Sequence, residues 1–553
     1  MGESRSGTKQ MTGHVDTFCA EMAPPQELWP ELDWTGIPEL AYPDWMNSAA
    51  ELLDSVIEGG RGDNVVFRFP GGTWTYQHLM ETANRIAHVL VDDHGVVPGN
   101  RVLLRGPNNP MMAACWFGVL KAGGVAVCTM PLLREREIRY IADKADIKLA
   151  LTDSRFAEEC EGAFALHSDG SERKGHRVVH YNSDAHYALE PRMRKKPAAF
   201  RNHRTASDDT AIIAFTSGTT GEGKGTMHSH RDIMAITDCF PRYVLKPSED
   251  DLFCGSPPLA FTYALGGLLL FPMRFGASSL LLENATPPHL IKAIHDYRPT
   301  ICFTAPTAYR AMHGMLAGHD VSSLKKCVSA GETLPRSVFD AWHEATGVKI
   351  IDGIGATEMV HIFISASDDD IRPGATGKVV PGYQAKVVDD DGMDLPANSV
   401  GRLAVKGPTG CRYLDNIPQQ KKYVQNGWNL TGDSYKLDAD GYFWYQARTD
   451  DMIITGGYNV AGPEVENVLL EHGAVHECAV VGEPDEERGH IVKAFVVLRP
   501  GYSGDETLMK ELQDFVKARI APYKYPRAVE FAETLPRTST GKLQRYRLRE
   551  GTR

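Results

Sequence analysis

A chain of 553 residues exceeds the size at which one hydrophobic core keeps growing, so two or more domains are expected. With 42% hydrophobic and 24% charged residues its composition is that of a folded protein, which excludes a largely disordered, collagen-like or low-complexity chain. The 59 Lys and Arg set against 71 Asp and Glu leave a net charge of −12, which gives no global electrostatic reason to bind nucleic acid or an anionic membrane.

In chain order, periodicity predicts helices over Ser48–Ile57 and Thr75–Leu90, a strand at Arg101–Leu104, a helix at Met111–Lys121 and a strand at Gly124–Cys128. A helix at Leu133–Ala145 and a strand at Lys148–Leu151 continue an alternation that implies βαβ units. Further strands are expected at Ala211–Phe215, Ile301–Phe303, Lys326–Ser329 and Lys349–Ile351, with helices at Pro288–Tyr297 and Arg336–Thr346 between them. The basic stretch Arg192–Lys196 is flanked by prolines and reads as a solvated loop. After about Pro373 the chain turns to glycine-punctuated β sequence, over Gly377–Asp389, Gly401–Gly407 and Tyr442–Tyr445. Past Asp450 a compact set follows: helix Pro463–Glu471, strands Val475–Gly482 and Val492–Leu498, helix Glu506–Ile520 and strand Ala528–Phe531.

The ten cysteines form no CxxC pair and no zinc-type spacing, and neither a secretory h-region nor a membrane-length apolar run is present, so a reduced, cytoplasmic protein is expected.

The strongest local signal is the strand Ala211–Phe215 followed by Thr216, Ser217, Gly218, Thr219, Thr220, Gly221, Glu222, Gly223, Lys224 and Gly225, with a helix expected from about His230. Glycines let backbone N–H groups approach phosphate oxygens, hydroxyls add donors and a lysine adds a point charge, so an anion cradle is predicted. Gly218–Lys224 satisfies G-x-x-x-x-G-K, yet Gly225 stands where a P-loop NTPase needs the Ser or Thr that holds magnesium. The whole string instead resembles the signature of the adenylate-forming superfamily of acyl-CoA synthetases, luciferases and adenylation domains, with Gly223 at a position that is usually proline, a change expected to loosen the loop.

The resemblance continues in order along the chain. Gly331-Glu332-Thr333 and Asp352-Gly353-Ile354-Gly355-Ala356-Thr357-Glu358 look like the family's adenine and phosphate segments; the resemblance implies that Thr357 contacts the α-phosphate and Glu358 holds Mg²⁺. It assigns the ribose hydroxyls to Asp433, with Arg448 nearby, and makes Asp450 a hinge between a large domain (1–449) and a small one (450–553). Pro536–Leu543 matches the catalytic-lysine motif, implicating Lys542 in adenylate formation, and Gly456, Gly457 and Tyr458 match the passage for the thiol arm of coenzyme A.

Residues Leu259–Gly267 and Met359–Phe363 lie where related ligases bind the acid, and the string Asp352–Phe363 looks most like benzoate- and 2-aminobenzoate-CoA ligases. His230, Phe261, Tyr263, Gly266 and His361 are the candidate acid-binding residues. The expected fold is α/β, with a large multi-sheet N-terminal domain, an appended small β region and a small mobile α+β C-terminal domain. The expected activity is AMP-forming ligation of an aryl acid to coenzyme A, using ATP and Mg²⁺, by a monomer or homodimer without nucleic-acid or membrane partners. Aliphatic acids, an ADP-releasing P-loop NTPase and a degenerate nucleotide-binding protein are the alternatives.

Overall fold

The runs Arg101–Arg105 and Leu149–Asp153 are buried along their whole length and Val125–Thr129 nearly so, the pattern of parallel strands covered on both faces. In the computed structural model they form the middle of a six-stranded sheet ordered Arg177–Tyr181, Leu149–Asp153, Arg101–Arg105, Val125–Thr129, Thr210–Phe215, Gly225–Ser229. All neighbours are parallel except the last pair. The structure describes residues 11–216, 223–448, 451–455, 458–485, 488–520, 522–538 and 543–550, and the backbone alone at 454, 458, 459, 489, 523 and 550.

Local chemistry explains the helices that cover this sheet. Asn109 caps the helix Pro110–Lys121 by accepting from the Met112 N–H, and proline occupies its first turn, where no donor is missed. The helix Tyr76–His88 begins at a Thr75 cap and crosses Pro110–Lys121 closely at Gly118, where a Cβ would lie 2.6 Å from Ile86 Cγ2. A nine-stranded sheet follows the same logic, with parallel central strands Ile350–Gly355, Lys326–Ala330, Ile301–Thr304, Leu252–Gly255, Ser278–Leu280 and Val65–Phe69, and antiparallel strands at both edges. One apolar core joins residues of both sheets, from Leu104, Ala126 and Ile212 to Phe253, Phe303 and Val328.

Residues 384–448 add an antiparallel five-stranded sheet, the appended β region expected from the sequence. Beyond it, strands Met452–Thr455, Tyr458–Ala461, Val475–Asp485, Gly489–Leu498 and Ala528–Phe531 form a further mixed sheet. Helices Gly462–Leu470 and Glu506–Lys517 close a core of its own around Val465, Val480, Val496 and Leu512. The molecule is therefore α/β, with a large multi-sheet N-terminal domain and a smaller C-terminal domain. Among the described residues no helix is long and apolar enough to cross a membrane.

The helix expected from about His230 begins there, and between it and the glycine-rich segment the chain adds a strand not expected from the sequence, Gly225–Ser229, paired antiparallel to Thr210–Phe215.

Candidate active site

The mouth of the glycine-rich loop is a β-hairpin. Phe215 pairs with Gly225, the Thr216 N–H donates to the Lys224 carbonyl at 3.0 Å, and the Lys224 N–H donates to Thr216 Oγ1 at 3.2 Å. A Cβ at Gly223 would come within 2.8 Å of the Thr216 carbonyl oxygen, so the backbone at this position has no room for a side chain. Ser217, Gly218, Thr219, Thr220 and Gly221 lie outside the described residues. A loop that exits into an antiparallel strand lacks the helix N-terminus on which a P-loop relies, and the P-loop reading falls on this geometry.

The segments expected to meet adenine and phosphate, Gly331–Thr333 and Asp352–Glu358, lie at the carboxyl ends of neighbouring parallel strands, where ligands bind in open α/β sheets. Ser329 pairs with Asp352 and Ala330 with Gly353, which sets Gly331, Glu332 and Thr333 beside Asp352, Gly353 and Ile354. Gly331 has φ +87°, a left-handed conformation that glycine adopts without strain. Burial pushes the Asp352 carboxyl up to about 8, and its Oδ1 has no hydrogen-bond partner among the described residues. An orphaned polar atom at a strand end fits the exocyclic amine and ring nitrogens of a purine.

Thr357 and Glu358 lie in a single helical turn directly after the strand Ile350–Gly355. Glu358 Oε1 accepts from the Tyr413 hydroxyl at 2.5 Å, and no cation pairs with this carboxylate among the described residues. One uncompensated carboxylate, with no cluster of three or more metal-type side chains among the described residues, fits a magnesium ion that takes most of its ligands from phosphate and water. Asp433 and Arg448 face each other across paired strands, Arg448 Nη1 lying 3.3 Å from Asp433 Oδ1. Burial, together with the Glu358 and Asp433 carboxylates, pushes the Tyr423 phenol up.

An aromatic cluster assembles around His361. The ring centroids of Phe271, Tyr263, Phe240 and Phe303 lie 4.5, 5.6, 5.8 and 6.4 Å from that of the imidazole. His361 Nε2 donates to the Tyr263 carbonyl at 3.1 Å, while Nδ1 is buried without a partner among the described residues. Burial lowers this imidazole to about 3, so it is neutral and Nδ1 is a bare acceptor. Gly266 makes the fit, since a Cβ there would lie 2.4 Å from His361 Cδ2. The Tyr263 hydroxyl donates to the carbonyls of Thr304 and Val328 at 3.3 and 3.2 Å, which leaves its ring, not its hydroxyl, facing His361. Phe261 is half-buried and leads the same segment.

His230 is not brought to this cluster. Its Nδ1 accepts from the Ser48 N–H at 3.2 Å and lies 2.9 Å from Ser48 Oγ, because its place at the first position of the helix His230–Asp238 turns it toward the N-terminal part of the chain. Among the described residues the rings around His361 are those of Phe240, Tyr263, Phe271 and Phe303, and His230 is not one of them. Asp450, Gly456, Gly457 and Lys542 lie outside the described residues, as does the side chain of Tyr458, whose backbone is in the strand Tyr458–Ala461. The segment leading to Lys542 reaches the large domain, with Arg537 Nη1 3.5 Å from Glu332 Oε1. Sequence reasoning missed His228, Thr409 and Tyr413, which touch the Thr357–Val360 turn from distant parts of the chain.

A large multi-sheet α/β domain followed by a small C-terminal domain is the architecture of adenylate-forming enzymes. The AMP-binding enzyme family matches residues 57–412 and its C-terminal domain matches residues 464–542, and the chain belongs to this family. It is similar to benzoate–CoA ligase of Thauera aromatica, with 35% identity over 93% of this chain and 97% of that protein. It is also similar to the mouse mitochondrial acyl-coenzyme A synthetase ACSM3, with 31% identity over 93% of this chain and 91% of that one. Among solved structures, the anthranilate CoA ligase AuaEII in complex with anthranoyl-AMP superposes with a TM-score of 0.87 at 33% identity, covering 94% of this chain and 99% of that one. The protein is an AMP-forming acid–CoA ligase, an enzyme class that uses ATP, Mg²⁺ and coenzyme A.

Proposed function

We propose that this enzyme activates an aryl acid, benzoate or 2-aminobenzoate, as its acyl adenylate and transfers the acyl group to coenzyme A. The observation that carries the reading is the neutral His361, walled by aromatic rings, with Nδ1 as an unused acceptor only three residues after Glu358. Flat rings suit a flat acid, and a ring amino group supplies the donor that Nδ1 lacks. The likeness to a benzoate–CoA ligase and to an anthranilate CoA ligase supports the same class.

In this reading the residues divide the work. Backbone N–H groups and hydroxyls of residues 216–221 with Lys224 hold the ATP phosphates, Thr357 donates to the α-phosphate, and Asp433 with Arg448 takes the ribose. Lys542 stabilises the charge that develops as the carboxylate attacks phosphorus and pyrophosphate departs. Magnesium, held by Glu358, supplies charge neutralisation at the phosphates. Residues 456–458 line the thiol passage after the small domain turns about Asp450, the boundary proposed between domains 1–449 and 450–553. Ten free cysteines, nine of them buried, suit a reducing cytoplasm.

A second reading, an aliphatic acyl substrate, is favoured by the likeness to ACSM3. A panel of aryl and aliphatic acids decides between them, read by AMP and pyrophosphate release and by the mass of the thioester. Benzoate or 2-aminobenzoate is expected to give the highest kcat/KM, and His361→Leu is expected to lower the preference for 2-aminobenzoate over benzoate about tenfold, a lost buried hydrogen bond. A higher kcat/KM for aliphatic acids removes the aryl assignment.

A further inference from the structure

The turn that carries Thr357 and Glu358 ends at Val360, whose backbone lies at φ +69° and ψ −53°. A β-branched residue avoids this region, and such a conformation persists only where its surroundings over-determine it. Three side chains do so from outside the turn. His228 Nε2 lies 2.8 Å from the Thr357 carbonyl, Thr409 Oγ1 donates to the Met359 carbonyl at 2.9 Å, and the Tyr413 hydroxyl donates to Glu358 Oε1 at 2.5 Å. The Thr357 carbonyl only accepts, so His228 carries its proton on Nε2, and its Nδ1 is left buried without a partner among the described residues.

These anchors share a single scaffold. His228 lies in the strand Gly225–Ser229 that closes the glycine-rich loop, and Tyr413 is bridged to Thr226 in the same strand. The Met227 N–H donates to the Arg412 carbonyl at 2.9 Å and the Leu414 N–H to the Gly225 carbonyl at 2.8 Å, so residues 412–414 run beside it through an isolated antiparallel bridge. The Tyr413 N–H is itself held by Gln420 Oε1 at 2.9 Å, and its ring meets Tyr423 edge-on. One strand therefore sets the phosphate loop at one end and the Thr357–Glu358 turn at its middle.

We propose that Tyr413 and His228 are positioning residues that hold the Glu358 carboxylate and the Thr357 turn in register with the phosphate loop, Tyr413 orienting the carboxylate for magnesium and His228 orienting the turn. This rests on Glu358 as the magnesium-holding carboxylate. Partners of a metal-holding carboxylate typically alter metal affinity by 10–100-fold when removed.

The test uses the full chain with a non-hydrolysable ATP analogue and Mn²⁺ as the probe, bound metal being read by electron paramagnetic resonance. Tyr413→Phe keeps the ring and is expected to weaken Mn²⁺ about tenfold, with the melting temperature and the KM for acid unchanged and with pyrophosphate exchange restored by excess magnesium. Unchanged Mn²⁺ affinity, or a loss that follows the melting temperature and resists excess magnesium, overturns the assignment for Tyr413. His228→Gln retains a donor for the Thr357 carbonyl and is expected to keep most of the exchange rate that His228→Leu loses; equal loss in the two overturns the assignment for His228. Wild-type protein that binds the analogue but no Mn²⁺ removes Glu358 as the metal carboxylate and this inference with it, whereas a substrate panel that fails to favour aryl acids leaves both untouched.

Discussion

His228 and His230 stand two residues apart, yet they do different things. The first, in a strand, ties the Thr357 turn; the second, at a helix start, is locked against Ser48. Composition and spacing treat them alike, because the difference is which distant backbone each ring meets. His230 also makes a testable contribution to stability. The Ser48 N–H donates to Nδ1, so the proton sits on Nε2, which is buried without a partner among the described residues, and burial with the neighbouring His14 lowers this imidazole to about 3 from an ordinary 6.5. A group whose folded pKa is depressed contributes stability that is fully present above the unfolded value and is lost as pH falls through the interval between 6.5 and about 3. Within that window His230 is expected to account for about 1.4 kcal/mol of lost stability per pH unit. Urea unfolding of wild type and His230→Gln between pH 7 and 5 checks this, the variant showing the shallower slope. The motif residues Thr357, Glu358, Asp433 and Arg448 were legible because they are contiguous with glycine-marked strings, whereas Tyr413 lies 55 residues from the carboxylate it holds and carries no local mark.

Most strands were readable from short β-branched runs, but Gly225–Ser229 was not. Its sequence Gly-Thr-Met-His-Ser has little intrinsic strand preference, and it is a strand because Thr210–Phe215 lies on one side and residues 412–414 on the other. The element is fastened by charge as well as by its ladder. Arg412 and Asp232 form a buried ion pair, their side chains 10% and 1% exposed, and Asp232 also completes the capping box at Ser229. Arg412→Leu leaves that carboxylate buried and uncompensated, a loss of about 3–5 kcal/mol in unfolding free energy. Chemical denaturation reads it, and the double variant Arg412→Leu with Asp232→Leu is expected to recover part of the loss. Recovery of nothing assigns the cost to packing rather than to charge.

At the scale of the molecule, the small domain meets the large one at Glu332, in the candidate adenine segment. Arg537 Nη1 is 3.5 Å from Glu332 Oε1 and its other nitrogen pairs with Glu477, while Arg310 Nη1 donates to the His476 carbonyl at 3.1 Å. Glu332→Gln removes a half-buried ion pair between the domains, worth about 0.5–1 kcal/mol, and is expected to slow adenylate formation by about two- to fivefold. Thiolysis of a supplied acyl adenylate is expected to be spared, and Lys542→Ala is expected to show the same division in an extreme form, with adenylation abolished and thiolysis kept. Single-turnover measurement of each half-reaction checks both, and equal losses in the two steps remove the division of labour.

Sequence alone determined the α/β class, the order of the domains and the chemistry to expect, because hydrophobic period and glycine-marked strings are local properties that survive without coordinates of their neighbours. Tertiary structure decided the rest: that the glycine-rich segment opens from a hairpin, that His361 lies among aromatic rings while His230 meets Ser48, and that a tyrosine and a histidine from remote segments bond the Thr357–Glu358 turn. Those outcomes depend on which buried polar groups find each other once strands are paired, and burial makes an unmet hydrogen bond expensive enough to select one arrangement.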